Sequence, residues 1–125
     1  MMNTGNPKQS PTVSFVIPAK NEVGYIDRCL DAIQKMKTLD MKIEIVVVDN
    51  GSTDNTIDIV KAYGAIVATK NNGTIGSLRN FGARLSSGDF IAFLDADCIV
   101  PEDWLTRALA FFAAILIFYH RVKRI

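Results

Sequence analysis

The stretch IEIVVVD, residues 43–49, decides the fold class, because it is apolar almost without alternation. A strand with one face in water alternates apolar and polar residues, whereas a strand covered on both faces is a nearly continuous run of Val, Ile and Leu. Strands covered on both faces belong to parallel sheets, whose crossover helices lie on the two sides. The stretch therefore predicts a buried strand of a parallel sheet, and this strand ends at Asp49.

Strand-like and helix-like segments alternate on both sides of this stretch. Apolar, β-branched and aromatic residues predict further strands at 12–17, 65–69 and 90–94, the first of them stopped by Pro18. Apolar residues at helical spacing predict a helix after each strand, and Pro101 is predicted at the first position of the last helix. The alternation predicts an α/β fold with three layers (α-β-α), a mostly parallel sheet and a Rossmann-like topology.

Capping residues predict where several helices begin and end. Ser52 and Asp54 are candidates to cap the second helix, and Gly64 is its predicted stop. A glycine-rich loop at 71–76 precedes the third helix, which is predicted to end at Gly88. The first helix is predicted to bury one face, formed by Ile26, Cys29, Leu30, Ile33 and Met36.

The length and composition limit the classes of protein to which this chain can belong. With 125 residues, 49% of them hydrophobic and 22% charged, it has the profile of one small folded domain. A formal net charge of +1 predicts neither a nucleic-acid partner nor an acidic substrate. The two cysteines, Cys29 and Cys98, do not form a disulfide framework and are predicted to be reduced thiols in a cytosolic (cytoplasmic) setting.

The two ends of the chain differ from the region between them. Residues 1–11 are polar, lack the apolar core of a secretory signal and are predicted to be a disordered leader. Residues 109–119 form an apolar run that is shorter than the roughly 20 residues a bilayer crossing needs. We expect residues 108–125 to be an apolar helical tail with a basic end, which mediates homo-oligomerisation or a peripheral contact with the inner face of the membrane.

Acidic residues follow three of the predicted strands. Glu22, Asp49, Asp95 and Asp97 would lie at one edge of the sheet, where α/β sheets bind their ligands. Clustered carboxylates repel one another unless a cation or a polar ligand joins them. Because residues two apart in an extended chain point to the same side, Asp95 and Asp97 would present both carboxylates to one cation. Mg²⁺ and Mn²⁺ prefer carboxylate oxygen, so this edge is a candidate site for one of these ions.

Each of these motifs, taken alone, also has a purely structural explanation. Most D-x-D pairs are solvated loop acids, and DNGSTD (49–54) is more often a helix-capping turn than a ligand site. Arg79 alone is more often a solvated charge than a phosphate ligand, and Cys98 is more often a small, partly buried apolar residue than a metal thiolate. The functional interpretation therefore depends on the combination of these motifs in order.

That combination resembles a known family. VSFVIPAKNE (13–22), EIVVVDNGSTDNT (44–56) and GSLRNFGARLSSGDFIAFLDADCIVPEDWL (76–105) resemble, in order and spacing, the nucleotide-binding half of family 2 glycosyltransferases. The likeness covers residues 12–107 and implies that they form a nucleotide-sugar-binding domain of the GT-A type. It also implies transfer of a sugar from a nucleoside diphosphate, in particular from a UDP-sugar, to an acceptor with Mg²⁺ or Mn²⁺. The implied setting is cell-envelope polysaccharide biosynthesis.

The resemblance implies roles for individual residues. The implied nucleotide-sugar-binding residues are Pro18, Ala19, Glu22, Asp49, Asn50, Ser52, Arg79 and Asp95, and the implied metal ligands are Asp97 and Asp95. Within this set, Asp49 and Asn50 would lie near the base and the ribose. Asp97 would coordinate the metal that bridges the diphosphate.

Some features depart from the family's pattern. Asn50 stands where the family often has Asp, so one negative charge is lost, and Lys20 stands where an aromatic residue is frequent, so stacking on the base is lost. Family members usually have a second half of comparable size, which supplies the acceptor site and the general base. No second acidic motif follows Asp97. We therefore expect a chain that is truncated or frame-shifted, or one that a partner or a membrane surface completes.

Functions of different classes are compatible with these patterns. The first is a metal-dependent glycosyltransferase whose donor half is intact. The second is a non-catalytic nucleotide-binding module with an apolar tail for self-association or membrane contact. A nucleotidyltransferase is a weaker third alternative, because IPAKNE (17–22) is not the glycine-rich phosphate loop with a basic residue that such enzymes place after the first strand. Turnover of a sugar nucleotide separates the first function from the second.

Overall fold

The computed structural model describes residues 10–111. Strands and helices alternate along them with the bounds β1 Thr12–Ala19, α1 Ile26–Lys35, β2 Lys42–Asp49, α2 Thr56–Ala62, β3 Ile66–Thr69, α3 Ile75–Leu85 and β4 Phe90–Phe93. Residues 104–111 are helical as well. Residues 1–9 of the predicted leader lie outside the described part, as do residues 112–125 of the predicted tail. Between residues 10 and 111, no helix combines the length and the hydropathy that a membrane crossing requires.

The strands β1 to β4 form one parallel sheet in the order β3-β2-β1-β4. The stretch IEIVVVD lies in β2, which pairs with β1 along its whole length, from Thr12 opposite Lys42 to Ala19 opposite Asp49. From Ile45 to its end, β2 is buried. The predicted α/β fold with a parallel sheet is thereby confirmed. The strand order reverses between β1 and β4, which is where open α/β sheets bind ligands at the carboxyl ends of their strands.

Alternate residues of β1 point to opposite faces of the sheet and so enter two different cores. Phe15 belongs to the core beneath α1 and α2, whereas its neighbour Val16 belongs to the core beneath α3. Gly82 lets α3 approach the sheet closely, because a Cβ at this position would overlap the side chain of Val16. The buried face of α1 is the predicted one, since it consists of Ile26, Cys29, Leu30 and Ile33, with Met36 buried just beyond the helix.

The start of α2 differs in part from the prediction. The N-cap residue is Asn55, and the hydroxyl of Ser52 instead donates to a carboxylate at the end of β2 at 2.6 Å. Asp54 does contribute, because its carboxylate accepts a hydrogen bond from the N–H of Thr56 at 3.0 Å. The predicted stop is confirmed, since Gly64 follows the helix with a φ of +77°, a left-handed conformation that glycine adopts without steric cost.

Three other boundaries differ from those predicted at a proline or a glycine. β1 continues one residue past Pro18, which keeps its register with β2. α3 ends at Leu85, and Gly88 lies beyond it, where its N–H donates to the hydroxyl of Ser14 at 2.9 Å. The last helix begins at residue 104, and Pro101 lies in the turn before it. These prolines and glycines mark the correct regions of the chain but not the last residue of each element.

Candidate functional site

A cavity of about 160 Å³ opens at the edge of the sheet where the strands end. Four of the predicted nucleotide-binding residues line it together with four others, the full set being Pro18, Ala19, Lys20, Glu22, Asn50, Gly73, Ile75 and Leu78. The loop between β3 and α3 contributes Gly73 to this lining, and the first turn of α3 contributes Ile75 and Leu78. Gly73, Ile75 and Leu78 were not predicted as site residues, although the glycine-rich loop at 71–76 is a signal that could have indicated them.

Two carboxylates and a thiol lie together just after β4. One ligand atom from each of Asp95, Asp97 and Cys98 lies within 4.8 Å of the others, and both aspartates are exposed. The spacing of Asp95 and Asp97 was interpreted on the assumption that both lie in extended chain. That assumption was wrong, because β4 ends at Phe93. A turn brings them together instead, in which the N–H of Cys98 donates to the carbonyl of Asp95 at 3.0 Å. Carboxylate oxygens are the donors that hard divalent cations prefer, so the donor set fits Mg²⁺ or Mn²⁺.

Glu22 belongs both to the lining of the cavity and to a larger acidic group, which consists of Glu22, Asp54, Asp95 and Asp97. Glu22 lines the cavity, and its backbone N–H donates to the hydroxyl of Thr56 at 2.9 Å, which fixes the chain just after β1. Burial raises the pKa of the Glu22 carboxyl, and the negative charges of Asp97, Asp54 and Asp95 raise it further. The sequence predicted Asp54 only as a cap, so its membership of the acidic group was missed.

Asp49 ends a strand at the same edge, but its carboxylate is bound by residues of its own turn. Its side chain is buried, and its Oδ2 accepts hydrogen bonds from the N–H groups of Gly51 at 3.1 Å and Ser52 at 2.8 Å. Its Oδ1 accepts a third bond from the Ser52 hydroxyl at 2.6 Å. The donors of its own turn therefore satisfy this carboxylate, and the acidic group consists of Glu22, Asp54, Asp95 and Asp97 without it.

Asn21 ties the segment after β1 to the turn after β2. Its N–H donates to the Ser52 hydroxyl at 2.8 Å, and its Oδ1 accepts a hydrogen bond from the Thr53 N–H at 2.8 Å. Asn21 has a φ of +52°, a left-handed conformation that Asn tolerates better than most residues do. Sequence reasoning missed this residue, and an Asn two residues after the end of β1 was the available signal. Ser52, a predicted nucleotide-binding residue, thus organises the loops around the site.

Arg79 reaches the acidic group from α3. Its Nη2 lies 3.4 Å from Oδ1 of Asp95, and the side chains of the two residues are 38% and 62% exposed. Such a partly exposed pair contributes little to stability. The Nε of Arg79 is buried and has no hydrogen-bond partner among the described residues. The structure therefore places Arg79 beside the candidate metal ligands, with one donor that residues 10–111 leave unpaired.

Asn50 faces the loop between β3 and α3. Its Oδ1 accepts a hydrogen bond from the N–H of Gly73 at 3.2 Å, and its Nδ2 donates to the carbonyl of Gly73 at 3.4 Å. Both ends of the side-chain amide are thus engaged by one backbone residue.

The two cysteines are free, as predicted, and only one of them is close enough to the acidic group to act as a ligand. Cys29 is buried in α1 with its Sγ 3.8 Å from the carbonyl of Asp95. Burial raises the pKa of its thiol to about 12, and the nearby Cys98 and Asp97 act in the same direction. Cys29 is therefore a protonated core residue, and Cys98 is the thiol that faces the carboxylates.

A larger cavity of about 350 Å³ lies elsewhere, between the ends of α1 and α2 and the start of β2. Its lining contains neither a carboxylate nor a cationic side chain, and it consists of Ile33, Gln34, Thr38, Met41, Ile43, Ile45, Tyr63, Gly64 and Ala65. The candidate site is therefore the smaller cavity, which lies beside the acidic group.

Comparison with known proteins shows the family of this chain. The sequence profile described as glycosyl transferase family 2 matches residues 14–123. Over 107 residues the chain is 36% identical to the glycosyltransferase AglE of Haloferax volcanii, a match that covers 80% of this chain and 35% of AglE.

Solved structures match the fold as well. A fragment of Staphylococcus aureus TarS in complex with UDP superposes with a TM-score of 0.72 at 31% identity, covering 82% of this chain and 32% of that one. The mannosyltransferase PcManGT of Pyrobaculum calidifontis, in complex with GDP-Man and Mn²⁺, gives a TM-score of 0.68 at 28% identity and covers 83% and 33% of the two chains. The chain thus spans about a third of the length of these relatives.

Proposed function

This chain belongs to glycosyl transferase family 2 and has a GT-A type α/β fold, and we propose that it binds a nucleoside-diphosphate sugar together with a divalent cation. In this proposal residues 12–107 form the donor-binding domain of a sugar-transfer reaction. A UDP-sugar is the favoured donor, because the matched TarS structure contains UDP. A GDP-sugar is the competing donor, because PcManGT contains GDP-Man.

The observation that carries the proposal is the position of the cavity beside the acidic group. Glu22 lines the cavity, and the carboxylates of Asp97 and Asp95 are close enough to raise the pKa of its carboxyl. A nucleoside in the cavity would direct its diphosphate towards these carboxylates. Phosphate groups and carboxylates repel each other unless a cation lies between them, so a divalent ion is required for both to occupy this edge.

Different residues of the site bind the cation, the diphosphate and the nucleoside in this proposal. Asp97 and Asp95 hold the cation, which stabilises the charge on the departing nucleoside diphosphate when it is bound. Arg79 contributes further positive charge to the diphosphate. Pro18, Ala19, Glu22 and Asn50 form the nucleoside pocket, and Asp49 and Ser52 organise the turn beside it. The ion in PcManGT is Mn²⁺, which favours Mn²⁺ over Mg²⁺ here.

Transfer to an acceptor needs one more group, a base that takes the proton from the acceptor hydroxyl. We assign no described residue to this role, so the proposal for this chain is donor binding, and sugar transfer is proposed for the family reaction in which it takes part. Turnover of UDP-sugars by this chain would extend the proposal. Binding without turnover would favour the alternative of a non-catalytic nucleotide-binding module.

A calorimetric titration tests the proposal. UDP and GDP are titrated into the purified chain with Mn²⁺ and again with excess chelator, and we expect binding of one nucleotide that requires the metal. Asp97→Ala should abolish this binding and leave the circular dichroism spectrum unchanged. Asp58→Ala is the matched control, because Asp58 is an exposed aspartate on α2.

Two results would contradict the proposal. A folded sample that binds neither nucleotide with Mn²⁺ would rule out the donor site. Metal-dependent binding by Asp97→Ala at the strength of the parent would rule out the proposed ligand and leave the nucleotide pocket in place.

A further inference from the structure

We infer that Asn50 is a positioning residue, which acts on nucleotide binding by holding the backbone of Gly73 and thereby the wall of the cavity. This inference rests on the proposed function and changes the role expected for Asn50. A residue near the base would be expected to contact the base. In the structure both polar ends of the Asn50 amide are instead taken up by Gly73.

The side-chain amide of Asn50 pairs with both backbone polar groups of Gly73. Oδ1 of Asn50 accepts from the Gly73 N–H at 3.2 Å, and Nδ2 donates to the Gly73 carbonyl at 3.4 Å. A backbone N–H can only donate and a carbonyl can only accept, so this pairing determines which way the amide points. The backbone of Asn50 is itself fixed, because its N–H donates to the carbonyl of Ala19 at 2.8 Å. Asn50 therefore joins the end of β1 to the loop between β3 and α3.

The middle of this loop depends on that contact. The loop is held at its start, where the Lys70 N–H donates to the carbonyl of Asp49 at 2.9 Å. It is held at its end by Thr74, which caps α3 and accepts from the Ser77 N–H at 3.1 Å. Gly73 lies between these anchors, and Asn50 is the side chain that binds it.

Gly73 also packs tightly against α3 on its other side. A Cβ at Gly73 would lie 2.9 Å from Oγ of Ser77 and 3.0 Å from Cδ2 of Leu78, closer than such atoms normally approach. Gly73 thus lies between the Asn50 amide and the first turn of α3 with no spare space. Because Gly73, Asn50 and Leu78 all line the cavity, a shift of Gly73 changes the shape of the cavity.

A carboxylate at position 50 could not make the same pairing. An ionised Asp accepts hydrogen bonds and donates none, so one oxygen would take the Gly73 N–H and the other would face the Gly73 carbonyl oxygen. Two acceptors at that distance repel each other, and the carbonyl would lose its partner. Asn50 is therefore matched to this loop, and Asn50→Asp replaces one side chain by another of nearly the same shape that cannot make the second bond.

The test compares Asn50→Asp with Asn72→Asp in the full chain. Asn72 is exposed in the same loop and has a φ of +59°, which Asp also tolerates, so it controls for the added negative charge. Amide hydrogen exchange is measured over residues 70–76, and the affinities for UDP and for inorganic pyrophosphate are measured with Mn²⁺. We expect Asn50→Asp to speed amide hydrogen exchange at Gly73 and to lower the affinity for UDP by about three- to tenfold. The affinity for pyrophosphate should not change. Asn72→Asp should change none of the three.

Each other result would overturn the inference. UDP binding at parental strength in Asn50→Asp would show that the contact does not position the pocket. An equal loss of UDP and pyrophosphate, or an equal loss in Asn72→Asp, would show an effect of charge alone. If the parent binds no nucleotide, the proposed function fails together with this role, and the exchange rates still show separately whether Asn50 holds the loop. Should Asn50→Asp not fold, Gly73→Ala displaces the same backbone from the side of α3 and should give the same pattern.

Discussion

Nη2 of Arg79 lies 3.4 Å from Oδ1 of Asp95, so a cationic side chain already neighbours one of the proposed metal ligands. Both side chains are partly exposed, and such a pair contributes about 1 kcal/mol or less. A divalent cation would bind Asp95 more strongly than this contact does. Arg79 would then be available to the diphosphate, for which a guanidinium is a suitable hydrogen-bond donor.

Replacement of Arg79 should therefore affect the binding of Mn²⁺ and the binding of pyrophosphate differently. We expect Arg79→Gln to leave Mn²⁺ affinity equal to that of the parent or about twofold higher, because a competing cation is removed. The affinity for pyrophosphate with Mn²⁺ should fall by about tenfold or more, because a charged hydrogen-bond donor is lost. Calorimetry with each ligand measures both effects. Arg84→Gln is the control, because Arg84 is exposed at the end of the same helix. Unchanged pyrophosphate binding in Arg79→Gln would exclude Arg79 as a diphosphate ligand.

The thiol of Cys98 should affect the choice of metal. Thiolates favour soft cations, and carboxylates favour Mg²⁺ and Mn²⁺. Because the Cys98 sulfur lies within 4.8 Å of both carboxylates, we expect Cys98→Ser to change Mn²⁺ affinity by about twofold or less and to weaken Cd²⁺ by about tenfold or more. The two metal affinities are measured by letting Cd²⁺ compete with Mn²⁺. The electron paramagnetic resonance signal of free Mn²⁺ reports how much Mn²⁺ is displaced. Equal losses for both metals would show that the substitution disturbs the turn and not a metal–sulfur contact.

Glu22 should lower the stability of the metal-free protein at neutral pH. Burial and the charges of Asp97, Asp54 and Asp95 raise the pKa of its carboxyl above 4.5 in the folded state. A carboxyl with a raised folded pKa contributes stability that is present below its unfolded pKa and is lost as the pH rises through the folded pKa. Glu22→Gln mimics the protonated form, so we expect it to raise the melting temperature at pH 7 without metal.

The pH dependence distinguishes this explanation from a general effect of the substitution. The advantage of Glu22→Gln over the parent should shrink as the pH falls towards 4.5 and disappear well below it, where the parent carboxyl is protonated in both states. Thermal melts of the two proteins at pH 7 and at acidic pH, with chelator present, provide the comparison. A gain of the same size at every pH would mean that repulsion at Glu22 is not its cause.

The sequence allowed the prediction of those features that depend on local patterns. The apolar run in β2 predicted a strand covered on both faces, and burial from Ile45 onward agrees with it. The helical spacing in α1 predicted its buried face. Because the carboxyl ends of parallel strands meet at one edge, the sequence also predicted that Glu22, Asp95 and Asp97 would approach one another.

Features that depend on contacts between distant loops could not be predicted in this way. Strand order alone does not show that the carboxylate of Asp49 turns back to its own N–H donors, because that depends on the conformation of one short turn. The pairing of Asn50 with Gly73 joins residues 23 positions apart and depends on how the loop packs against α3. The contact of Asn21 with Ser52 spans 31 positions and is of the same kind.

Glu44 forms a second hydrogen-bonded cluster near the start of β4, at the end of the sheet opposite the site. Its Oε1 accepts from the Ser14 hydroxyl at 2.6 Å and from the Ser87 N–H at 2.9 Å, and its Oε2 accepts from the Ser87 hydroxyl at 3.0 Å. The Ser14 hydroxyl in turn accepts from the Gly88 N–H at 2.9 Å. The carboxylate thus joins β2, β1 and the connection between α3 and β4.

Loss of this carboxylate should destabilise the fold and leave the site intact. Burial alone would raise the pKa of Glu44, but the hydrogen bonds from Ser14 and Ser87 outweigh it and lower the pKa below 4.5. A lowered folded pKa gives stability that is present above the unfolded pKa and is lost as the pH falls through the folded pKa. We expect Glu44→Gln to lower the free energy of unfolding by about 1 to 2 kcal/mol at pH 7. Urea unfolding should show this difference shrinking below pH 4.5. The Glu22→Gln difference shrinks in the same pH range but has the opposite sign, because that substitution stabilises the protein. If the difference in the free energy of unfolding persists unchanged at low pH, the loss of stability comes from packing around Glu44. If a folded Glu44→Gln binds Mn²⁺ more weakly than the parent, the two ends of the sheet are coupled.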